Sequence, residues 1–235
     1  MMGAGDSAVV ADEFWKMAGG RALYGRPVRI ECAAPRVLPV AVRRIAGLHT
    51  GAVSELLARI GAPPWMDGSP RSLRGCLIAD AGKALIFVDA DDPDDEQRMT
   101  VAHEVAHLLV HYLQPRRAAV TAFGKDIVAV LDRLRPPHLG ERFSAALRSV
   151  PIEPYRHAMD RNAATRREVS AMEDQADDLA VELLVPWNEL HAIRGASPGA
   201  RRERFGVPAA VATRLAVLAA PSRTTSGVLG MFGQK

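Results

Sequence analysis

In the stretch Val101-Ala102-His103-Glu104-Val105-Ala106-His107, two imidazoles and a carboxylate stand in the pattern H-E-x-x-H. On an α-helix, residues four apart lie one above the other on the same face, about 6 Å along the axis, so His103 and His107 can aim ring nitrogens at a single ion. Glu104 follows the first ligand by one residue. That sets it beside the ion without coordinating it, where it can take a proton from a metal-bound water as general base. Zinc accepts this geometry, and the layout is that of a zinc hydrolase with one Zn2+ per chain.

The surroundings predict a buried helix. Asp92-Pro93-Asp94-Asp95-Glu96 reads as a helix start, with Asp92 as N-cap, Pro93 at the first helical position and acid in the first turn. Pro115 sets the expected end at Gln114. Between those ends Met99, Val101, Ala102, Val105, Ala106, Leu108, Leu109, Val110 and Leu113 leave almost no polar face. Histidines and a glutamate in a core need partners, since a polar group removed from water without a hydrogen bond or a cation costs a few kcal/mol. His111 continues the series but lies about 12 Å along the axis from His103, too far to share one ion, so a role in packing or behind the ligands is expected. The variant with a third histidine six residues after the second and a glycine three after it is excluded, because those positions hold Leu113 and Val110.

A second helix is expected from Glu168 to Val185, ended by Pro186, with Val169, Met172, Ala176, Leu179, Ala180, Leu183 and Leu184 in one apolar stripe. At about 100° per residue, Asp174, Asp178 and Glu182 point away from the stripe, whereas Glu173 falls inside it. A carboxylate on a core face must be paired or bind metal, and two His with one Glu plus water is a standard catalytic zinc set. Glu173 is therefore the expected third ligand. Asp177, one turn later at the edge of the stripe, can accept the other ring N–H of a liganding histidine.

At 235 residues and 48% hydrophobic content the chain can bury a full core. A net charge of +3 falls short of a nucleic-acid footprint, and no nucleic-acid-binding residues are assigned. Cys32 and Cys76 are too few for a disulfide framework, which points to a reducing compartment. No apolar run approaches a membrane span, and Asp6, Asp12 and Glu13 stand where a signal peptide carries positive charge, so a cytoplasmic location is expected.

Residues 1–38 form a segment of unclear structure in which Val28-Arg29-Ile30 suits a short strand. From Pro39, the spacing of Val40, Val42, Ile45 and Ala46, and then of Val53, Leu56, Leu57 and Ile60, predicts two helices broken at Gly47 and closed at Gly61 before Pro63-Pro64. The runs 75–80 and 84–89 predict a β-hairpin turning near Ala81-Gly82, the second strand an inner one; an exposed sheet edge there can hold an extended peptide. The acidic run Asp89 to Glu96 reads as helix capping and a solvated loop. Helical pieces are expected around Ile127–Leu134 and Glu141–Leu147, between prolines. Tyr155 and His157 are of types that can donate a hydrogen bond to a developing oxyanion. From His191, helix, Gly turn and helix around Gly206 form a small helix-turn-helix-like unit. Its basic residues can meet phosphates, but Phe205, Val207, Val211, Leu215 and Leu218 favour a closing structural role. Residues 221–235 suit a flexible tail.

These residues resemble the ImmA/IrrE family of bacterial metallopeptidases. Gln97 to His107 is similar to that family's Arg, Phe/Met-Thr, Ala-His-Glu signature, and Glu173 to Pro186 to its E-x-x-A-N-x-F-A-x-E-L-L-x-P segment, with Asp177 in place of the usual Asn. Weaker likeness reaches Leu38-Pro39-Val40 with Ile45-Ala46, and Arg204-Phe205-Gly206-Val207. The resemblance implies an α+β, mostly helical, thermolysin-like metallopeptidase domain over 39–190 with a small antiparallel β-sheet, and a helical appendage over 191–220. It implies zinc on His103, His107 and Glu173 with Glu104 as base. It also implies a function: cleavage of a specific protein, a helix-turn-helix DNA-binding repressor, relieving repression in a stress-response or mobile-element circuit. Two other readings stand beside it, a toxin or effector protease of a toxin–antitoxin or phage system, and a non-catalytic regulator that binds DNA or protein through 200–218.

Overall fold

The computed structural model describes residues 4–61, 69–148, 156–160 and 167–218. It is a mostly helical α+β fold built on one four-stranded sheet in the order β1-β3-β2-β4, with β1 Val40–Ile45, β2 Leu73–Asp80, β3 Lys83–Asp89 and β4 Arg156–Asp160. β2 and β3 form the expected antiparallel hairpin, and β4 pairs antiparallel with β2. β1 runs parallel to β3, so the sheet is mixed rather than purely antiparallel. The hairpin turn holds Ala81 at φ 47° and Gly82 at φ 75°. Positive φ at both central positions matches the right-handed twist of the strands.

β3 is apolar from Ala84 to Val88 because both of its faces are covered. Ala84, Ile86 and Val88 enter the main core, while Phe87 enters a smaller core on the opposite face with Leu48, Val53, Leu57, Leu73 and Cys76. Helix α3 (Thr50–Arg59) supplies that smaller core. The main core lies between the sheet and α4 (Asp94–His107), which packs against β2 and β3 on one side and against α8 (Arg167–Leu184) on the other. α1 (Ala4–Met17) and α2 (Ile30–Val37) close the same core with Phe14, Trp15, Ile30, Ala33 and Ala34.

Two local expectations are corrected. Ile30 opens a helix, not a strand, and Val40–Ile45 is β1, not a helix. Val40, Val42 and Ile45 fit either period in so short a run, and the ladder with β3 decides the conformation. The metal-motif helix also differs at both ends. Pro93 rather than Asp92 is the N-cap, and the chain does not stop at Gln114. It widens into a π-helical turn over Leu108–Leu113 and resumes as α5 (Gln114–Phe123), so that Pro115 falls in a first turn, where proline is tolerated.

A short helix, α6 (Val128–Leu131), and α7 (Leu139–Arg148) occupy the expected places in the following segment. After α8 come α9 (Trp187–Ala192), α10 (Pro198–Phe205) and α11 (Ala209–Leu218), with Gly206 left-handed at the end of α10. Phe205, Val207, Ala212 and Leu215 are buried in the main core itself. The tail 221–235 and Pro63-Pro64 lie outside the described residues.

Candidate metal centre

The site is made by two helices brought side by side. α4 is held at its start by Gln97, whose Nε2 donates to the carbonyls of Ala90 and Asp92 while its Oε1 accepts from Arg44 on β1. At the next residue, the Arg98 guanidinium donates to the Gly206 carbonyl at 2.7 Å. α8 is held at its far end, where Pro186 leaves the last carbonyls without helical partners. The Trp15 indole N–H and the Arg21 guanidinium donate to the Leu183 carbonyl, and Arg21 donates also to that of Glu182. Burial lowers the Arg21 pKa to about 10, against the raising influence of Glu182 and Glu189.

Where the helices face each other, His103 Nε2 lies 2.9 Å from His107 Nε2 and 3.2 Å from Glu173 Oε2, and His107 Nε2 lies 3.7 Å from Glu173 Oε1. Ligand atoms of these three residues all fall within 4.8 Å of one another. Donors about 2.0–2.1 Å from a tetrahedral ion are separated by about 3.3 Å along each edge, so the spacing suits a small cation such as zinc. His103, Glu104 and His107 are fully or almost fully buried, and Glu173 is a quarter exposed. The group therefore presents one open side.

Each histidine is held from behind. The Asp177 carboxylate lies 2.8 Å from His103 Nδ1, which leaves Nε2 facing the site. Burial pushes the His103 imidazole down, but hydrogen bonds to Asp177 and Glu173 and the charge of Glu104 outweigh it and raise the pKa to about 9. His107 Nδ1 lies 2.9 Å from His111 Nδ1, so His111 stands behind the donors rather than among them.

Glu104 lies beneath β2 at Gly75, where the missing side chain lets α4 approach the strand. A Cβ on Gly75 would sit 2.4 Å from Thr100 Cγ2 and 3.6 Å from Glu104 Oε1. Close approach of strand to helix is the reason for glycine here. Neighbouring Cys76 is fully buried, and burial together with the charge of Glu104 drives its thiol well above the ordinary range. β4 borders the same region, with Met159 opposite Gly75 and His157 opposite Leu77. Tyr155 lies outside the described residues, as does the side chain of His157.

The structure thus brings together Glu104, His103, His107, Glu173 and Asp177. Sequence reasoning passed over Gln175, whose Oε1 lies 3.0 Å from His111 Nε2, and Gly75. A signal for Gln175 existed in the spacing of His111, one turn beyond His107, which needs a partner from the opposite helix.

Two histidines and a glutamate form a donor set that could hold a metal ion, with a buried carboxylate beside it. Residues 65–129 match the peptidase family model described as the IrrE N-terminal-like domain, in agreement with the resemblance read from the sequence. The matched stretch holds His103, Glu104 and His107 and ends before Glu173, whose place rests on the geometry. No curated protein matches the chain. Among the described residues no helix is long and apolar enough to cross a membrane.

Proposed function

We propose that this chain is a cytoplasmic, zinc-dependent endopeptidase that cleaves one specific protein, a helix-turn-helix DNA-binding repressor, and so relieves repression in a stress-response or mobile-element circuit. The observation that carries the reading is the convergence of His103, His107 and Glu173 beside buried Glu104. The choice of substrate is supported by the family resemblance alone.

His103, His107 and Glu173 would hold one zinc per chain, which when bound supplies Lewis acidity toward the scissile carbonyl and the attacking water. Glu104 takes the proton from that water and delivers it to the leaving amine. Its burial removes competing bulk water, and the wall of β2 over it limits where it can move. β4 is an edge of the sheet next to the strand above Glu104. An extended substrate segment is proposed to pair there, its main chain supplying affinity and its alternate side chains specificity.

Metal content by mass spectrometry tests the centre. Wild type should carry about one zinc per chain, and His103→Ala and Glu173→Ala should lose it. A wild type that takes up no metal even when zinc is supplied would make this a retired peptidase fold. Glu104→Gln, still holding metal, should cut a repressor encoded nearby at least about a hundredfold more slowly.

A further inference from the structure

Helix α7 carries its apolar side chains on the side away from the protein. At about 100° per residue, Leu139, Phe143, Ala146 and Leu147 make one stripe, and Glu141, Ser144 and Ala145 lie on the opposite face. A surface helix of a globular fold turns such a stripe to the core. Here Ala145 is the buried residue, Glu141 is tied to the Arg135 guanidinium and to the His138 N–H, and Leu139, Phe143 and Leu147 are 84%, 66% and 71% exposed. Leu134, next to the arginine that binds Glu141, is 79% exposed as well. Arg142 borders the stripe, is exposed, and has no ion-pair partner among the described residues.

α5 and α6 share a small core of Ala119, Ile127 and Val130, and α7 is joined to α5 by Arg148, which donates to the Ala122 carbonyl and lies over the Phe123 ring. The chain's positive charge collects in this lobe. Residues 114–148 hold seven Lys and Arg against three Asp and Glu, a net +4 in a chain of net +3. We infer that α7 is a membrane-surface helix that holds the chain against an anionic lipid bilayer. An apolar stripe bordered by exposed cations suits a helix lying flat in the headgroup layer, with Leu139, Phe143 and Leu147 among the acyl chains and Arg142 against the phosphates. At ten residues the helix is about 15 Å long, too short to cross the hydrocarbon core. A protein partner fits less well. A stable protein interface covers about 800 Å² on each side, and three partly exposed side chains fall short of that. A bilayer needs no matching shape and adds the attraction of each cation. A second copy of the chain would bring like charge to like charge.

Lipid binding of this kind is independent of the metal reading, and the full chain is tested both with zinc supplied and after EDTA. Vesicles of phosphatidylcholine and phosphatidylglycerol in equal parts should sediment wild type at low salt, and vesicles of phosphatidylcholine alone should do so far less. Phe143→Ser should weaken partitioning onto the mixed vesicles at least about tenfold, and Phe143→Leu should largely restore it. Arg142→Gln should weaken it about fivefold, an effect lost on neutral vesicles and at high salt. Leu23→Ser, which removes an equally exposed apolar side chain outside the lobe, should change nothing. Because Phe143 is two-thirds exposed, its variants should unfold in urea at the wild-type midpoint. Wild type left in the supernatant of the mixed vesicles at low salt overturns the inference, as does undiminished binding by Phe143→Ser or an equal loss in Leu23→Ser. A dimer in light scattering that Phe143→Ser dissociates, with no vesicle binding, assigns the stripe to a second copy and overturns it too.

Discussion

At the scale of single residues, the site stores charge that a metal would displace. His103 has a folded pKa of about 9 against an ordinary value of 6.5, so the fold favours its protonated form. A raised value contributes stability that is complete below about pH 6.5 and is lost as the pH rises through about 9. Protein stripped with EDTA should therefore lose up to about 3 kcal/mol of stability to urea across that window. Asp177→Asn should flatten the slope; an equally steep profile in that variant would remove Asp177 from its place behind His103. Cys76 offers a second check, because its thiol is buried and held above the ordinary range while Cys32 is exposed. Native protein should react with a thiol reagent at Cys32 alone near pH 8, and at both after denaturation. Two rapid reactions in the native state would show that β2 does not seal the base of the site. The cluster of His103, His107 and Glu173 was legible in the sequence because spacing and burial constrain it: a helical i, i+4 pair, and one acid inside an apolar stripe. Gln175 was not, since a single polar residue at the margin of a helix has no periodic signature.

Among the elements, legibility followed length and covering. α8 was read within a residue or two at its ends because an 18-residue helix accumulates a clear stripe. The β2–β3 hairpin was read for its apolar runs and its Ala81-Gly82 turn. β1 was misread because six residues carry too few periods, and its parallel partner lies more than forty residues away. The meeting of β2 with α4 is a contact that no local pattern encodes. It makes a sharp demand at Gly75, where a Cβ would sit 2.4 Å from Thr100 Cγ2. Gly75→Ala should cost about 1–3 kcal/mol by overpacking and lower activity with it. Adding Thr100→Ser, which deletes Cγ2, should return part of that loss; a double variant no better than the single one would mean that the nearby Phe87 carbonyl, 3.0 Å from the same Cβ, sets the limit. Arg21→Ala, at the other end of the site's scaffold, should cost about 2 kcal/mol in denaturant titration by leaving the Leu183 and Glu182 carbonyls short of donors.

For the molecule as a whole, the question is whether α10 and α11 face outward to a nucleic acid or inward to the fold. Arg201 is buried, its guanidinium donating to the carbonyls of Ile193, Arg194 and Ala196. Arg202 pairs with Asp95 near the start of α4, Arg204 with Glu189, and Arg214 with Asp178 on α8. Each of the four arginines of α10 and α11 is thus paired within the chain, and two of them, Arg202 and Arg214, tie these helices to the two helices of the site. Binding to duplex DNA should therefore be weak at physiological salt, with none of the steep salt dependence that several phosphate contacts produce. Phe205, 4% exposed, anchors the unit in the main core. Phe205→Ala should destabilise the whole chain by about 3–5 kcal/mol in a single transition that includes the metal centre. Separate melting of a C-terminal unit, with the candidate metal site unaffected, would instead mark 191–220 as an independent module and bring the binding-regulator reading forward.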